Sequence, residues 1–213
     1  MIDSTPMVVI CGQVGAAMLG TDAFQEVDVV GVTQPISKWN YQIRRAEDIP
    51  WAVARAFYIA RSGRPGPVVL DFAKNAQTAM IEYAPQTVDF IRSYNPVPET
   101  QPGSIEMAAE LINQSVKPLM LVGQGVELAG ARQELLALCE KAQIPFGQTM
   151  LGLSAAPTGH PLNMGMLGMH GNLAPNVMTN QCDLLIAVGM RFDDRVTGDL
   201  HTYAKQAKVI HFE

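Results

Sequence analysis

The sequence predicts an α/β protein built on parallel sheets, and two observations predict it. Short apolar runs alternate with amphipathic segments along the chain, the pattern of βαβ units. Turns rich in glycine or charge follow several of those runs, at the strand ends where open α/β sheets bind ligands. A third observation sets the scale. With 213 residues, 48% apolar and 16% charged, the chain can bury a sizeable core in one large domain or two small ones.

The elements follow in order. Residues 6–11 read as a buried strand ended by Gly12, and 27–32 as a second short β-type run. Over 48–62 the period turns helical: Asp48 can cap, Pro50 suits the first turn, and Ile49, Val53, Phe57 and Ala60 share a face. Gly63 supplies the stop, and a stiff turn over 63–67 leads to a strand at 68–72. Prolines 85, 96, 98 and 102 mark residues 77–102 as a linker. A second series then begins: a helix over 104–115 with Ile105, Ala108, Ala109 and Ile112 inward, and a strand over 118–122. A helix over 131–142 with Leu135 and Leu138 inside and a strand over 144–149 come next. A Met- and Gly-rich loop runs to about 171, followed by a weaker helix over 172–181 and strands at 184–188 and 209–212. The second series thus has four expected strands.

The totals exclude several classes. A net charge of −5 with no run of Lys and Arg argues against a nucleic-acid surface. No apolar stretch approaches the ~20 residues of a membrane span, and the first residues lack a signal-peptide pattern. Three widely spaced cysteines suggest reduced thiols in a cytosol-like compartment. The four histidines have no metal-ligand spacing, so no metal ligand is assigned.

Five segments could carry chemistry. Gly189-Met190-Arg191-Phe192-Asp193-Asp194-Arg195-Val196-Thr197-Gly198 follows an apolar run and places two Arg and two Asp within five residues. Guanidiniums reach phosphates and carboxylates, and carboxylates take ribose hydroxyls; the bland alternative is a surface salt-bridge cluster. Gly123-Gln124-Gly125 is either a tight turn or a place where backbone N–H groups approach a phosphate. Met166-Leu167-Gly168-Met169-His170-Gly171 either fills core gaps or covers a flat ring. Residues 20–26 could be a turn opening a short helix with Asp22 as cap, and Lys74, just past a strand, a solvated charge.

Taken together these segments resemble the large catalytic subunit of acetohydroxyacid (acetolactate) synthase, a thiamine-diphosphate enzyme family. The resemblance runs over essentially the whole chain. Residues 12–14, 20–26, 38–41, 62–67, 166–171 and 191–198 occur in the family's order and spacing. It implies a domain plan: residues 1–76 as the C-terminal half of the pyrimidine-binding α/β domain, and 103–213 as most of a Rossmann-like, FAD-binding central domain. It implies roles as well. Gln25 corresponds to the Gln beside the thiazolium, Phe24 to its apolar neighbour at the substrate, and Lys74 to a Lys at the active-site entrance. Arg195, with Asp194 beside it, corresponds to the Arg that holds the second 2-ketoacid. Arg64, Gly123, Gln124, Gly125, Thr149, Met150 and Leu151 correspond to FAD contacts. So do Leu167, Gly168, Met169 and His170, with Met169 also near the substrate. Gly189, Met190, Arg191, Asp193, Arg195 and Val196 match the FAD-binding turn, and Glu213 an acidic adenosine contact.

The activity implied is decarboxylation of pyruvate on thiamine diphosphate and condensation with pyruvate or 2-ketobutyrate, with FAD structural and Mg²⁺ holding the diphosphate. Implied partners are a second or further copies of the parent subunit, as homodimer or tetramer, and a small regulatory subunit, in the cytoplasm. Two departures bear on this. Gly15-Ala16-Ala17 stands where many members have Pro and basic residues. The family's cofactor-activating Glu and its Gly-Asp-Gly…Asn motif have no counterpart between residues 1 and 213, so the expectation is a fragment inactive alone. The alternatives are a flavin-nucleotide-binding module without catalysis, and a related thiamine-diphosphate decarboxylase or ligase.

Overall fold

The computed structural model describes residues 1–213, which divide into two units, Met1–Glu99 and Thr100–Glu213.

In the first unit, strands β1 (Met7–Gln13), β2 (Trp39–Ile43) and β3 (Pro67–Ala73) form a parallel sheet in the order β1-β3-β2. Helix α1 (Val29–Thr33) follows the loop after β1, α2 (Ile49–Arg61) lies between β2 and β3, and α3 (Lys74–Thr78) starts where β3 stops. Helix α2 packs through Ala52, Ala56, Ile59 and Ala60 onto Ile43, Val68, Leu70 and Phe72. Alanines at four-residue spacing leave a flat stripe that lets the helix lie close to the sheet. Gly63, at φ 58°, ends it as expected.

Several expectations need correction here. The run 27–32 is not a strand: Asp28 accepts the Gly31 N–H at 2.9 Å and nucleates α1, so a local cap outweighs β-branched propensity. The strand lies later, at β2, where Trp39, Tyr41 and Ile43 alternate with Asn40 and Gln42. Gly12 does not end β1 but pairs with Phe72 inside it. Asp48 makes no cap bond and instead pairs with Arg45 at 3.1 Å. Phe57 is 57% exposed, because the alanine stripe, not the bulkier residues, faces the sheet. No helix opens at 20–26. Between residues 79 and 99 there is no helix or strand, yet Ile91 is buried in this unit's core, and the Tyr94 hydroxyl meets Lys38 Nζ at 3.0 Å.

The second unit holds a five-stranded, wholly parallel sheet, β4 (Pro118–Val122), β5 (Phe146–Gln148), β6 (Asn163–Met166), β7 (Leu184–Val188) and β8 (Lys208–Phe212), in the order β6-β5-β4-β7-β8. The sheet has five strands rather than the four expected; β6 was hidden in the Met- and Gly-rich stretch. Helices α4 (Ser104–Gln114), α5 (Gln124–Leu128), α6 (Arg132–Ala142), α7 (Leu173–Thr179) and the single turn α8 (Asp194–Thr197) complete it. One face packs Met120, Val122, Phe146, Leu184 and Ile186 against Ala108, Leu135 and Cys139. The other packs Leu119, Leu121, Leu185 and Ala187 with Leu167 and Cys182. Both faces of the central strands are covered, which is why they read as unbroken apolar runs. Against expectation Ile105 is 54% and Leu138 37% exposed; Ala108 and Cys139 take the inward positions. Asp183, at the head of β7, accepts the Lys117 N–H at 3.0 Å and the Val116 N–H at 2.7 Å, and so pins the entry to β4.

Candidate functional site

The residues that the sequence put forward as cofactor contacts in the second unit gather at one end of its sheet. Gly123, Gln124 and Gly125 follow β4; Thr149, Met150 and Leu151 follow β5; Leu167, Gly168, Met169 and His170 follow β6. Gly189, Met190 and Arg191 follow β7, and Glu213 follows β8. All five strands therefore deliver a turn to the carboxyl edge. The order reverses between the sheet's first strand, β4, and β7, which makes their two turns the crevice where such sheets take ligands.

Those two turns are joined by main-chain hydrogen bonds. The Gly123 N–H donates to the Val188 carbonyl at 2.9 Å and the Gly125 N–H to the Gly189 carbonyl at 2.8 Å. A Cβ on Gly123 would stand 2.2 Å from the Gly189 carbonyl oxygen, and one on Gly125 2.5 Å from the Gly189 Cα. Close approach explains these glycines. Because both donors are engaged within the protein, they are not available to cradle a phosphate in this conformation. His211 in β8 braces the same turn: its Nε2 lies 2.6 Å from the Met190 carbonyl, which can only accept, so Nε2 carries the proton.

The loop after β6 is held just as firmly. Asn176 accepts the Gly168 N–H at 2.8 Å and donates to the Gly168 carbonyl at 2.9 Å, while Asn172 accepts the Met166 N–H at 2.9 Å. The Met169 N–H donates to the Arg195 carbonyl at 2.8 Å, which joins this loop to α8. Between them opens a cleft of about 310 Å³ lined by Gly168, Met169, Asn176, Arg195, Val196 and Tyr203, among others. Asp193 caps α8 by accepting from the Arg195 and Val196 N–H groups at 2.9 and 3.3 Å, and its second oxygen pairs with Arg191 at 3.4 Å. The carboxylate thereby organises the turn. The Arg195 and Asp194 side chains stand 3.8 Å apart and are 72% and 81% exposed, so the guanidinium is available to an anion. Met150, Leu151 and Met169 add exposed apolar surface.

Sequence reasoning missed Gln148. It is 2% exposed, donates to the Gly152 carbonyl at 2.9 Å and accepts from Asn163 at 3.0 Å, which shapes the 149–156 loop. A lone Gln inside an apolar strand was the available signal.

In the first unit, Phe24 is 87% exposed and Gln25 sits at φ 65° in the loop after β1. Lys74 opens α3 at the end of β3 and is exposed. Since β1 and β3 are parallel neighbours, the loop that bears Phe24 and Gln25 and the helix that Lys74 opens both leave the same edge of the sheet. Arg64 donates to Ser4 Oγ at 3.0 Å and to the Ile2 carbonyl at 3.1 Å. All three cysteines are free, and burial pushes the Cys139 and Cys182 thiols up to about 11, far from the reactive range. No three His, Cys, Asp or Glu side chains converge as metal ligands. No helix is long and apolar enough to cross a membrane.

A parallel α/β unit with a turn at the carboxyl end of every strand has the architecture in which such sheets take ligands. The family described as "Thiamine pyrophosphate enzyme, central domain" matches residues 105–213, about half of the sequence. The chain belongs to the thiamine pyrophosphate enzyme family. It is 47% identical over 211 residues to the acetolactate synthase large subunit of Corynebacterium glutamicum, covering 99% of this chain and 34% of that protein. It is 45% identical over 212 residues to the acetolactate synthase isozyme 1 large subunit of Escherichia coli K12, covering 100% and 37%. A crystal structure from Mycobacterium smegmatis, provisionally described as a thiamin diphosphate-dependent enzyme, superposes with a TM-score of 0.75 at 26% identity, over 97% of this chain and 40% of that one. The chain thus spans little more than a third of the length of the curated relatives it matches.

Proposed function

We propose that this chain is part of an acetolactate synthase large subunit, which decarboxylates pyruvate and condenses it with a second 2-ketoacid, pyruvate or 2-ketobutyrate. The observation that carries the reading is the set of five turns at one sheet edge, in a chain 47% identical to a large subunit of that name. Thiamine diphosphate, when bound, supplies the chemistry of decarboxylation and carbon–carbon bond formation. The chain's own residues bind and orient. In the first unit, Gln25 would stand beside the thiazolium ring and Phe24 beside the reacting ketoacid, and Lys74 guards the entrance. In the second, Arg195 clamps the acceptor carboxylate, because a planar guanidinium matches a carboxylate in two-point geometry. Asp194 steadies that guanidinium.

The second unit also fits FAD, in a Rossmann-like manner. Exposed Met150, Leu151 and Met169 can cover a flat ring, and Arg191 can meet a diphosphate. Gly123, Gln124 and Gly125 allow close approach at the crevice, with the glycine amides already spent. Leu167, Gly168, His170, Gly189, Met190, Val196 and Glu213 complete the set. No group of three His, Cys, Asp or Glu side chains in this chain offers magnesium a site. The parent assembles as a homodimer or tetramer in the cytoplasm, with a small regulatory subunit.

The test is direct. The purified chain, given pyruvate, thiamine diphosphate, Mg²⁺ and FAD, should form no acetolactate, yet it should quench flavin fluorescence on titration. Robust turnover would overturn its proposed inactivity in isolation, and unchanged fluorescence would remove the flavin assignment. In an active parent, Arg195→Gln should depress acceptor addition more than decarboxylation. Equal loss of both would return the chain to a related decarboxylase or ligase. One observation favours a second reading, a flavin-nucleotide-binding module without catalysis: the ordered turns lie in the second unit, whereas Phe24 and Lys74 stand exposed in the first. Flavin binding with no thiamine diphosphate binding in any longer form would select it.

A further inference from the structure

Three buried or half-buried polar side chains meet at the carboxyl end of the first unit's sheet, where an apolar core would otherwise continue. Asp71 in β3 is 1% exposed and Gln13 in β1 is 8% exposed. Gln42 in β2 donates from Nε2 to Asp71 Oδ2 at 2.9 Å, and Gln13 donates from Nε2 to the same oxygen at 3.3 Å. Asp71 Oδ1 has no hydrogen-bond partner. A carboxyl group buried this deeply, with two amide donors on one oxygen and none on the other, is costly to keep and calls for an explanation.

What Gln13 does with its other contacts suggests the use. Its Nε2 also donates to the Val27 carbonyl at 2.7 Å, and its Oε1 accepts the Val14 N–H at 2.9 Å. Val14 in turn accepts the Lys74 N–H at 3.3 Å. Val27 closes the loop that carries Phe24 and Gln25. That loop is held in an unfavourable shape, with Asp22 at φ 56° and Gln25 at φ 65°. Within it, the Glu26 carboxylate accepts the N–H groups of Gly20 and Ala23. Glu26 therefore sets the loop's internal shape, while Gln13 is the side chain that ties its far end back to the sheet.

We infer that Gln13, oriented by Asp71, is a positioning residue that fixes the 20–27 loop relative to the ends of β1 and β3 and so aims Phe24 and Gln25. The inference deepens the proposed function and rests on it for what Gln25 faces. The anchoring itself is a property of the chain's backbone and can be read with no substrate present.

The experiment is hydrogen–deuterium exchange of the 213-residue chain, comparing the amides of residues 20–27 with those of β3. Gln13→Met keeps the shape and removes the donors. The pair Gln13→Glu with Asp71→Asn restores a bond between positions 13 and 71 but sets a carboxylate against the Val27 carbonyl. Each should speed exchange in the loop about tenfold, the factor for one lost hydrogen bond, while β3 keeps its protection. An unchanged loop in both, or a loop that speeds up only in step with β3, overturns the inference. Should Gln13→Met lower protection everywhere, the pair variant decides. Loss of anchoring in a chain whose parent never makes acetolactate would leave this inference standing and sink the enzymatic reading.

Discussion

The Gly125 amide reaches the Gly189 carbonyl at 2.8 Å, and a Cβ on Gly125 would meet the Gly189 Cα at 2.5 Å and its carbonyl oxygen at 2.9 Å. Both neighbours are backbone, which cannot swing aside as a flexible side chain could. Gly125→Ala should therefore destabilise the second unit by about 2–3 kcal/mol, at the upper end of overpacking costs. Gly15→Ala is the control, since nothing lies within 4 Å of its Cβ position. Urea denaturation of the two variants measures the difference, and equal midpoints would show that the turns part easily.

Asn176 replaces a missing ladder partner for Gly168, giving and taking one hydrogen bond with the same residue. Asn176→Ala leaves both Gly168 groups without it. A loss of about 2 kcal/mol is expected, with faster proteolysis within 166–171. An unaltered digestion pattern would mean that Asn172 and the Met169–Arg195 bond suffice to hold this loop.

Asp183 governs an acid limb of stability. The Ser115 hydroxyl, followed by the Val116 and Lys117 amides, holds its carboxyl below the usual range near 4. A carboxyl depressed on folding stabilises above its unfolded value and loses that contribution as pH falls through the folded one. Asp183→Asn should thus be less stable than the parent chain at pH 7, with the gap closing below about pH 4. A gap that stays constant to pH 2 would refute the linkage.

Cys11 is half-buried, whereas Cys139 and Cys182 are buried and pushed up to about 11. Alkylation by iodoacetamide at pH 8 should modify Cys11 first, followed by intact mass and peptide mapping. Labelling of Cys139 or Cys182 at the same rate would reveal frequent opening of the second unit's core.

The parts legible in the sequence were those dictated by burial and period. Strands β4 and β7 lie inside covered faces, so Leu119 to Val122 and Leu184 to Ala187 had to be apolar without interruption. The misreadings have local causes. Asp28 turns Val29 and Val30 into helix by capping, which propensity alone does not register. Strand β6 carries Gly165 at φ 94° and a register shift against β5, so its alternation is broken. At the candidate site, the turns themselves stood out by composition. Gln148 and Asn176 did not, because a single amide gives no pattern until the fold shows which main-chain groups it satisfies, and the segment 12–14 likewise gave Gln13 no role of its own.

The meeting of Gly123, Gly125 and Gly189 has a consequence for how such a site can change over time. The floor of the crevice is main chain pressed on main chain, so it has almost no tolerated variants through which its shape could drift. The rim, made by Met150, Met169, Arg191 and Arg195, hangs outward on solvent-facing side chains. Substitution can redecorate that rim freely, so new ligand preferences could accumulate there while the underlying seat stays as it is.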